Sequence, residues 1–286
     1  MTSRAILALL SMLIVAACSS AGASAPASSL APSASASAAT SPSASASVET
    51  AELTVFGAAS LGKALERVKA AYEAANPGST IIISTDSSAA LETQIEQGAP
   101  ADVFLSADTT NPQRLIDGGF ADGDATTFAG NELTIITPKG NPAGIASPFD
   151  LAKAGIRVVA AGDDVPITKY ATQLVDNLAG EAGAAADFAA GYAANVVSRE
   201  DNVSAVRTKI ELGEGDAAIV YVTDAAASDE VDTIEVPDSA NVPATYAGVV
   251  VKASENPDAA HAFLDWLAGP DGQAILAEFG FLPPAG

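Results

Sequence analysis

The sequence predicts an α/β protein of layered sheets and helices. Three observations carry that expectation. Short β-branched runs alternate with amphipathic stretches at helical spacing, the pattern of βα units and mainly parallel sheets. No repeat of fixed period is visible in the 286 residues. The chain closes on two helices, which need a sheet to cover.

The elements follow in order. The first 17 residues, MTSRAILALLSMLIVAA, hold one charge, Arg4, ahead of an apolar run from Ala5 to Val15. Eleven apolar residues are too few to span a bilayer and fit the core of a secretory signal. Cys18, the single cysteine, follows Val15-Ala16-Ala17 in a pattern that resembles a bacterial lipobox. That resemblance implies cleavage before Cys18, lipidation of its thiol, and a place on the outer face of the cell membrane. A lone cysteine forms no disulfide within the chain. Residues 18–50 form the anchor and a tether of almost pure Ser, Ala and Pro. Such a segment cannot bury enough apolar surface to become ordered. As a random coil it would reach roughly 30 Å.

The folded part is expected from residue 51 onward. Strands are predicted at ELTVFGA (52–58), TIIIST (80–85), DVFLSA (102–107), ELTIITP (132–138), IRVVAAG (156–162), AAIVYVT (217–223) and YAGVVVK (246–252). Helices are predicted over Leu61–Ala75, Ala89–Gln97, Ile167–Leu178 and Val203–Leu212, with two more after residue 255. Pro270 sits near the first turn of the last one, where its missing N–H is harmless. The order permits two lobes: residues 51–130 with 236–286, and residues 131–235. Two chain crossings would then form a hinge beside a cleft.

Charge excludes one class of partner. The chain carries 13 Lys and Arg against 35 Asp and Glu, a formal charge of −22. Loss of Arg4 with the signal makes it one unit more negative. Nucleic acid, which needs a basic surface, is not an expected partner.

Three strand–helix junctions share one chemistry. FGAASLGKAL places Ser60 as the expected N-cap of the first helix. STDSSAALETQIEQG places Ser87 and Ser88 ahead of the second, and GAPADVFLSAD ends a strand at Ser106-Ala107-Asp108. Small residues let backbone N–H groups approach a ligand, and helix N-termini present unpaired donors with partial positive potential. Ligands of α/β sheets collect at such junctions. Hydroxyls and N–H groups alone can hold a compact oxyanion, and they favour one that brings no proton of its own. Serine is also an ordinary N-cap, worth about 1 kcal/mol.

FGAASL, SSAAL, GAPADVFLSAD, GDDVPITKYA, EDNVSAVRTKIELGEGDAAIVYVTDA and FLDWLAGPDGQAILAEFGF together resemble the molybdate-binding proteins of bacterial ABC importers. The resemblance covers about residues 52–282. It implies a two-lobed periplasmic-binding fold of the second type, closing over one tetrahedral oxyanion. It implies donors at Ser60 and Ser88 through hydroxyls, Ala107 and Val203 through backbone N–H, and Tyr221 through its hydroxyl, with Ser87 adjacent. The relatives have small residues where this chain has Ile167-Thr168-Lys169, so Lys169 is a second candidate neighbour of the cleft. The implied ligand is molybdate or tungstate, with sulfate or another tetrahedral oxyanion as the alternative. The implied partners are a membrane permease and its ATPase, with a monomeric binding protein and no cofactor.

Other classes fit less well. A serine hydrolase elbow needs Gly-x-Ser-x-Gly, and Ala58 occupies the first glycine position before Ser60. The one histidine, His261, lies far along the chain. One His and one Cys leave no transition-metal set. A surface lipoprotein with no ligand is the remaining alternative.

Overall fold

The computed structural model describes residues 51–284. The expected signal, Cys18 and the tether lie outside them. The first β-strands and helices run β1 (Glu52–Ala58), a 3-10 turn (Ala59–Leu61), α1 (Gly62–Ala75), β2 (Thr80–Asp86), α2 (Ser88–Glu96), β3 (Val103–Ser106), α3 (Thr110–Asp117) and β4 (Ala121–Asn131). The middle of the chain gives β5 (Leu133–Pro138), a 3-10 turn (Pro148–Ala152), β6 (Val158–Ala161), α4 (Pro166–Ala179), α5 (Phe188–Asn195), β7 (Val196–Glu200), α6 (Val203–Glu211), β8 (Ala218–Tyr221), α7 (Val222–Ala226) and β9 (Val231–Ile234). The chain then forms β10 (Ala244–Val251), α8 (Pro257–Ala268) and α9 (Pro270–Glu278).

The strands make one five-stranded sheet, β2-β1-β3-β10-β4, a three-stranded sheet, β8-β5-β9, and the pair β6-β7. An isolated bridge from Val158 to Ala217 joins the pair to the segment leading into β8. The first sheet is therefore built from both ends of the folded chain, and the other two from its middle. Two segments pass between them: β4 runs into β5 across Glu132, and the stretch between β9 and β10 returns.

That path overturns the expectation of mainly parallel sheets. Among the described strands, β1–β2, β1–β3 and β6–β7 are the parallel ladders. The pairings of β10 with β3 and β4, and of β5 with β8 and β9, are antiparallel. A parallel neighbour requires a crossover back to the same edge. Here β4 and β10 are connecting strands that leave and re-enter the large sheet, so they lie against each other head to tail.

Inner strands are covered on both faces and lack alternation, as expected of buried sheets. All four residues of β3 are buried. Helix α1 presents Ala64, Leu65, Val68 and Tyr72 to the core. Gly57 makes this contact possible: a Cβ there would lie 2.3 Å from Leu65 Cδ1. Tyr72 meets Phe263 and Trp266 of α8 edge-on, with ring centroids 5.0 and 5.2 Å apart. The terminal helices thus pack onto the large sheet, and Pro270 occupies the first position of α9.

Strands β4, β7 and β9 and helices α3, α5 and α7 were not expected from the sequence. The predicted strand 217–223 stops at Tyr221, because Val222 already opens α7. Ser60 is not an N-cap either. It lies within the 3-10 turn whose cap position is Ala58, and α1 starts two residues later. The cap of α2 is Ser87, whose side chain accepts from the Ala90 N–H at 3.2 Å. Ser88 is the first helical residue.

Candidate functional site

The ends of β1, β3 and β8 and the starts of α2, α4 and α6 converge on one small cavity of about 10 Å³. Its lining contains Ser60, Ser88, Ala107, Val203 and Tyr221, all five of the expected donors, with Ser87 beside them. Three come from segments around the large sheet. Val203 and Tyr221 come from segments around the smaller ones. A volume of that size matches about one water centre. An anion of several oxygens needs the walls or their side chains to part.

Each wall is held differently. Ser60 Oγ is 2.8 Å from the hydroxyl of Tyr246 on β10. Ser88 Oγ accepts the N–H of Ala107 at 3.0 Å. The Ala107 N–H, expected to reach a ligand, is therefore already engaged by protein. On the opposite side, Asn202 caps α6 by accepting the Ala205 N–H at 3.0 Å. Val203 is then the first helical residue, and such an N–H has no partner within its own helix.

Tyr221 is the outlying group. It is 1% exposed, and its hydroxyl has no hydrogen-bond partner among the described residues. A buried unpaired hydroxyl is costly, on the order of 1–3 kcal/mol. Burial raises its pKa well above 10, helped by nearby Tyr246, Tyr170 and Asp224. The hydroxyl keeps its proton across physiological pH and stays a donor.

No Lys, Arg, Asp or Glu lines the cavity. Its positive potential comes from the starts of α2, α4 and α6, none of which has an acidic residue in its first turn. Helix α7, which opens after Tyr221, does carry Asp224 in its first turn. Aspartate at a helix start is ordinarily favourable, and its absence from the starts of α2, α4 and α6 leaves their N-termini open to an anion.

Sequence reasoning expected a helix over Ile167–Leu178 but named no donor at its start. Val165, Pro166 and Ile167 line the cavity, and Pro166 lacks an N–H, so Ile167 supplies the first donor of that helix. The Val-Pro signature of a helix start was the available signal. Lys169, by contrast, does not line the cavity. It is exposed, with its ammonium 5.8 Å from the centroid of the Tyr170 ring. Two hydrogen bonds cross between the walls: Asn202 Nδ2 to Asp86 Oδ1 at 3.1 Å, and Ser204 Oγ to the Ala59 carbonyl at 3.2 Å. A larger groove of about 760 Å³ shares Ala59 and Ser60, but Ser88, Val203 and Tyr221 take no part in it.

The family model of bacterial extracellular solute-binding proteins matches residues 53–282. The chain belongs to that family.

This solute-binding protein is 34% identical over 233 residues to the molybdate-binding protein ModA of Mycobacterium tuberculosis, covering 81% of this chain and 85% of that one. A solved periplasmic molybdate-binding protein of Azotobacter vinelandii matches with a TM-score of 0.67 and 25% identity. That match covers 82% of this chain and all of the other (100%). The sulfate-binding protein SubI of Mycobacterium tuberculosis matches with a TM-score of 0.72 at 23% identity, covering 81% and 86%, and shares the fold. The fold is thus the two-lobed α/β fold of periplasmic solute-binding proteins. The family binds solutes and is not one of enzymes, which disposes of the hydrolase alternative. In keeping with that, His261 faces Asp122 at 3.3 Å on the surface and does not line the cavity.

Proposed function

We propose that this protein captures molybdate, and tungstate with it, outside the cytoplasm and delivers it to an ABC permease driven by its ATPase. The observation that carries the reading is the convergence of Ser60, Ser88, Val203 and Tyr221 on one cavity without a cation, with the Tyr221 hydroxyl buried and unpartnered. Identity to ModA across most of the chain supports the choice of oxyanion.

In this reading the Ser60, Ser88 and Tyr221 hydroxyls and the Val203 N–H donate to the oxyanion. The N–H of Ile167 takes the place expected for Ala107, whose own N–H holds Ser88. Residues 51–130 with 236–286 act as one lobe and 131–235 as the other, with β4–β5 and the β9–β10 connection as the hinge. The protein works as a monomer tethered through lipidated Cys18, and no cofactor enters. Ser87 supports the site by capping α2, and Lys169 contributes only long-range attraction.

A thermal shift of the chain from Ser19 onward, with molybdate, tungstate, sulfate or phosphate, tests this. Ligand at a thousand times Kd adds about 4 kcal/mol, or on the order of 8–16 °C for a domain of this size. Large shifts with molybdate and tungstate, and little with sulfate, are expected. A shift with sulfate alone would replace the ligand, and no shift with any oxyanion would leave the surface-lipoprotein alternative.

A further inference from the structure

We infer that Asn131 and Tyr246, neither of which lines the cavity, set the direction of the hydrogen bonds behind Ser60 so that Ser60 turns its proton toward the oxyanion. This rests on the oxyanion reading above and adds the groups that enforce its selectivity.

The argument starts from a group that can only donate. The backbone N–H of Glu132 donates to Asn131 Oδ1 at 3.0 Å. That bond settles which end of the amide is oxygen, the point that otherwise has to be assigned from the network. Nδ2 therefore faces Thr223 Oγ1 at 2.9 Å and the Tyr246 hydroxyl at 3.3 Å. An amide nitrogen has only hydrogens to give. The Tyr246 oxygen must accept, which leaves its own hydrogen for Ser60 Oγ, 2.8 Å away. Ser60 then accepts on that side, and its single hydrogen is left for the cavity that it lines.

The relay is held rigidly. Tyr246 is fully buried, between the rings of Phe128, Tyr221 and Phe281 at 6.2, 5.7 and 5.4 Å. Burial holds its pKa well above 10, so the phenol always has a hydrogen to pass on. Asn131 ends β4 beside the crossing to β5, and Tyr246 lies near the start of β10, after the return crossing. Ser88 reaches the same polarity by a shorter route. It accepts from the Ala107 N–H, which leaves its own hydrogen to donate. Each serine thereby has one lone pair taken up by protein and its hydrogen turned to the cavity, the polarity that suits an oxyanion bringing no proton of its own. Hydrogen phosphate is disfavoured and a fully deprotonated dianion is favoured.

The test is polarity reversal. In Asn131→Asp the carboxylate accepts from Tyr246, so the Tyr246 oxygen accepts from Ser60 and the Ser60 lone pairs face the anion. Titration calorimetry with molybdate, on the chain from Ser19, should show binding weakened about a hundredfold by Asn131→Asp, but tenfold or less by Tyr246→Phe, in which Ser60 still turns to donate. In a Ser60→Ala background, Asn131→Asp should add only about a twofold loss, because the group it reverses is gone. A full loss retained in that background means plain charge repulsion and overturns the relay, as does an Asn131→Asp no weaker than Tyr246→Phe. The phosphate-to-molybdate Kd ratio of Tyr246→Phe is a second readout, independent of how Asn131→Asp folds. It should narrow by about tenfold; an unchanged ratio overturns the relay. Wild-type protein that gives no heat with molybdate removes the oxyanion reading itself, whereas wild-type binding with unselective variants removes the relay alone.

Discussion

Tyr246 and Tyr221 stand 5.7 Å apart between ring centroids, edge to face, and both are almost completely buried. One is satisfied and the other is not. The Tyr246 hydroxyl, on the large sheet, has Ser60 and Asn131; the Tyr221 hydroxyl, at the end of β8, has no partner among the described residues. The same contrast extends to their surroundings. Ser88 and Ala107 satisfy each other on the first wall, while Asp224, three residues after Tyr221, leaves Oδ2 unpaired. The Ser60 and Ser88 oxygens are held by protein partners, whereas the Tyr221 hydroxyl on the other wall has none and is open to a ligand. The difference teaches where affinity and stability part: losing Ser60 or Ser88 costs hydrogen bonds within the fold as well as binding, and losing the Tyr221 hydroxyl costs binding alone.

The sharpest way to break that comparison is to remove donors from the second wall. Tyr221→Phe should weaken molybdate binding by about 1.5–3 kcal/mol, the worth of a hydrogen bond to a charged group. The unfolding midpoint without ligand should stay level or rise, since an unpaired buried hydroxyl is gone. Val203→Pro probes the neighbouring N–H in the same way. Proline is tolerated at a first helical position, and Asn202 before it is already extended, with φ −155° and ψ 168°, as a following proline demands. Calorimetry showing lost affinity with an unchanged melting curve is expected; a large drop in the melting temperature of either unliganded variant would make these residues structural.

Asp224 sharpens the contrast through pH. Burial raises its carboxyl to about 7, partly offset by Arg207 and by the Tyr221 backbone N–H. The guanidinium of Arg207 is 3.9 Å away and also bonds Glu211 at 3.0 Å. Between the ordinary carboxyl value of 3.8 and 7 the native state therefore holds a proton that the unfolded chain has lost. Stability should rise as pH falls from 7 toward 5, by up to about 1.4 kcal/mol per unit, and level off above 7. Melting curves of Asp224→Asn should lack that rise. An identical pH dependence in the variant would mean that Asp224 is ionised throughout.

The smallest effect belongs to Lys169. Its ammonium is exposed over Tyr170 and does not line the cavity. Lys169→Ala should change the molybdate Kd by less than about twofold at physiological salt, where surface charges are screened beyond roughly 8 Å. A tenfold change in titration calorimetry would place that side chain in the binding step.

Much of this was legible in the chain before any coordinate. The first three strands, α1, α2, α4 and α6 follow from local periodicity and turn chemistry, because their apolar faces recur at fixed spacing. The five expected donors were named from small-residue turns and family blocks, and they meet in one cavity. Tertiary structure decided the rest. Strand β4, ADGDATTFAGN, has no run of β-branched residues and is largely exposed in its first half; it is a strand because β10 offers it an edge to pair with. Ser60 was expected to cap a helix, yet Tyr246, 186 positions away in sequence, takes its hydroxyl instead. Ala107 was expected to face a ligand, and Ser88 claimed its N–H. Local pattern determines which residues can donate, because that depends on residue type and on the neighbouring turn. Which donors remain unpaired, and which way their hydrogens point, depends on partners brought from distant parts of the chain, and only the folded structure supplies them.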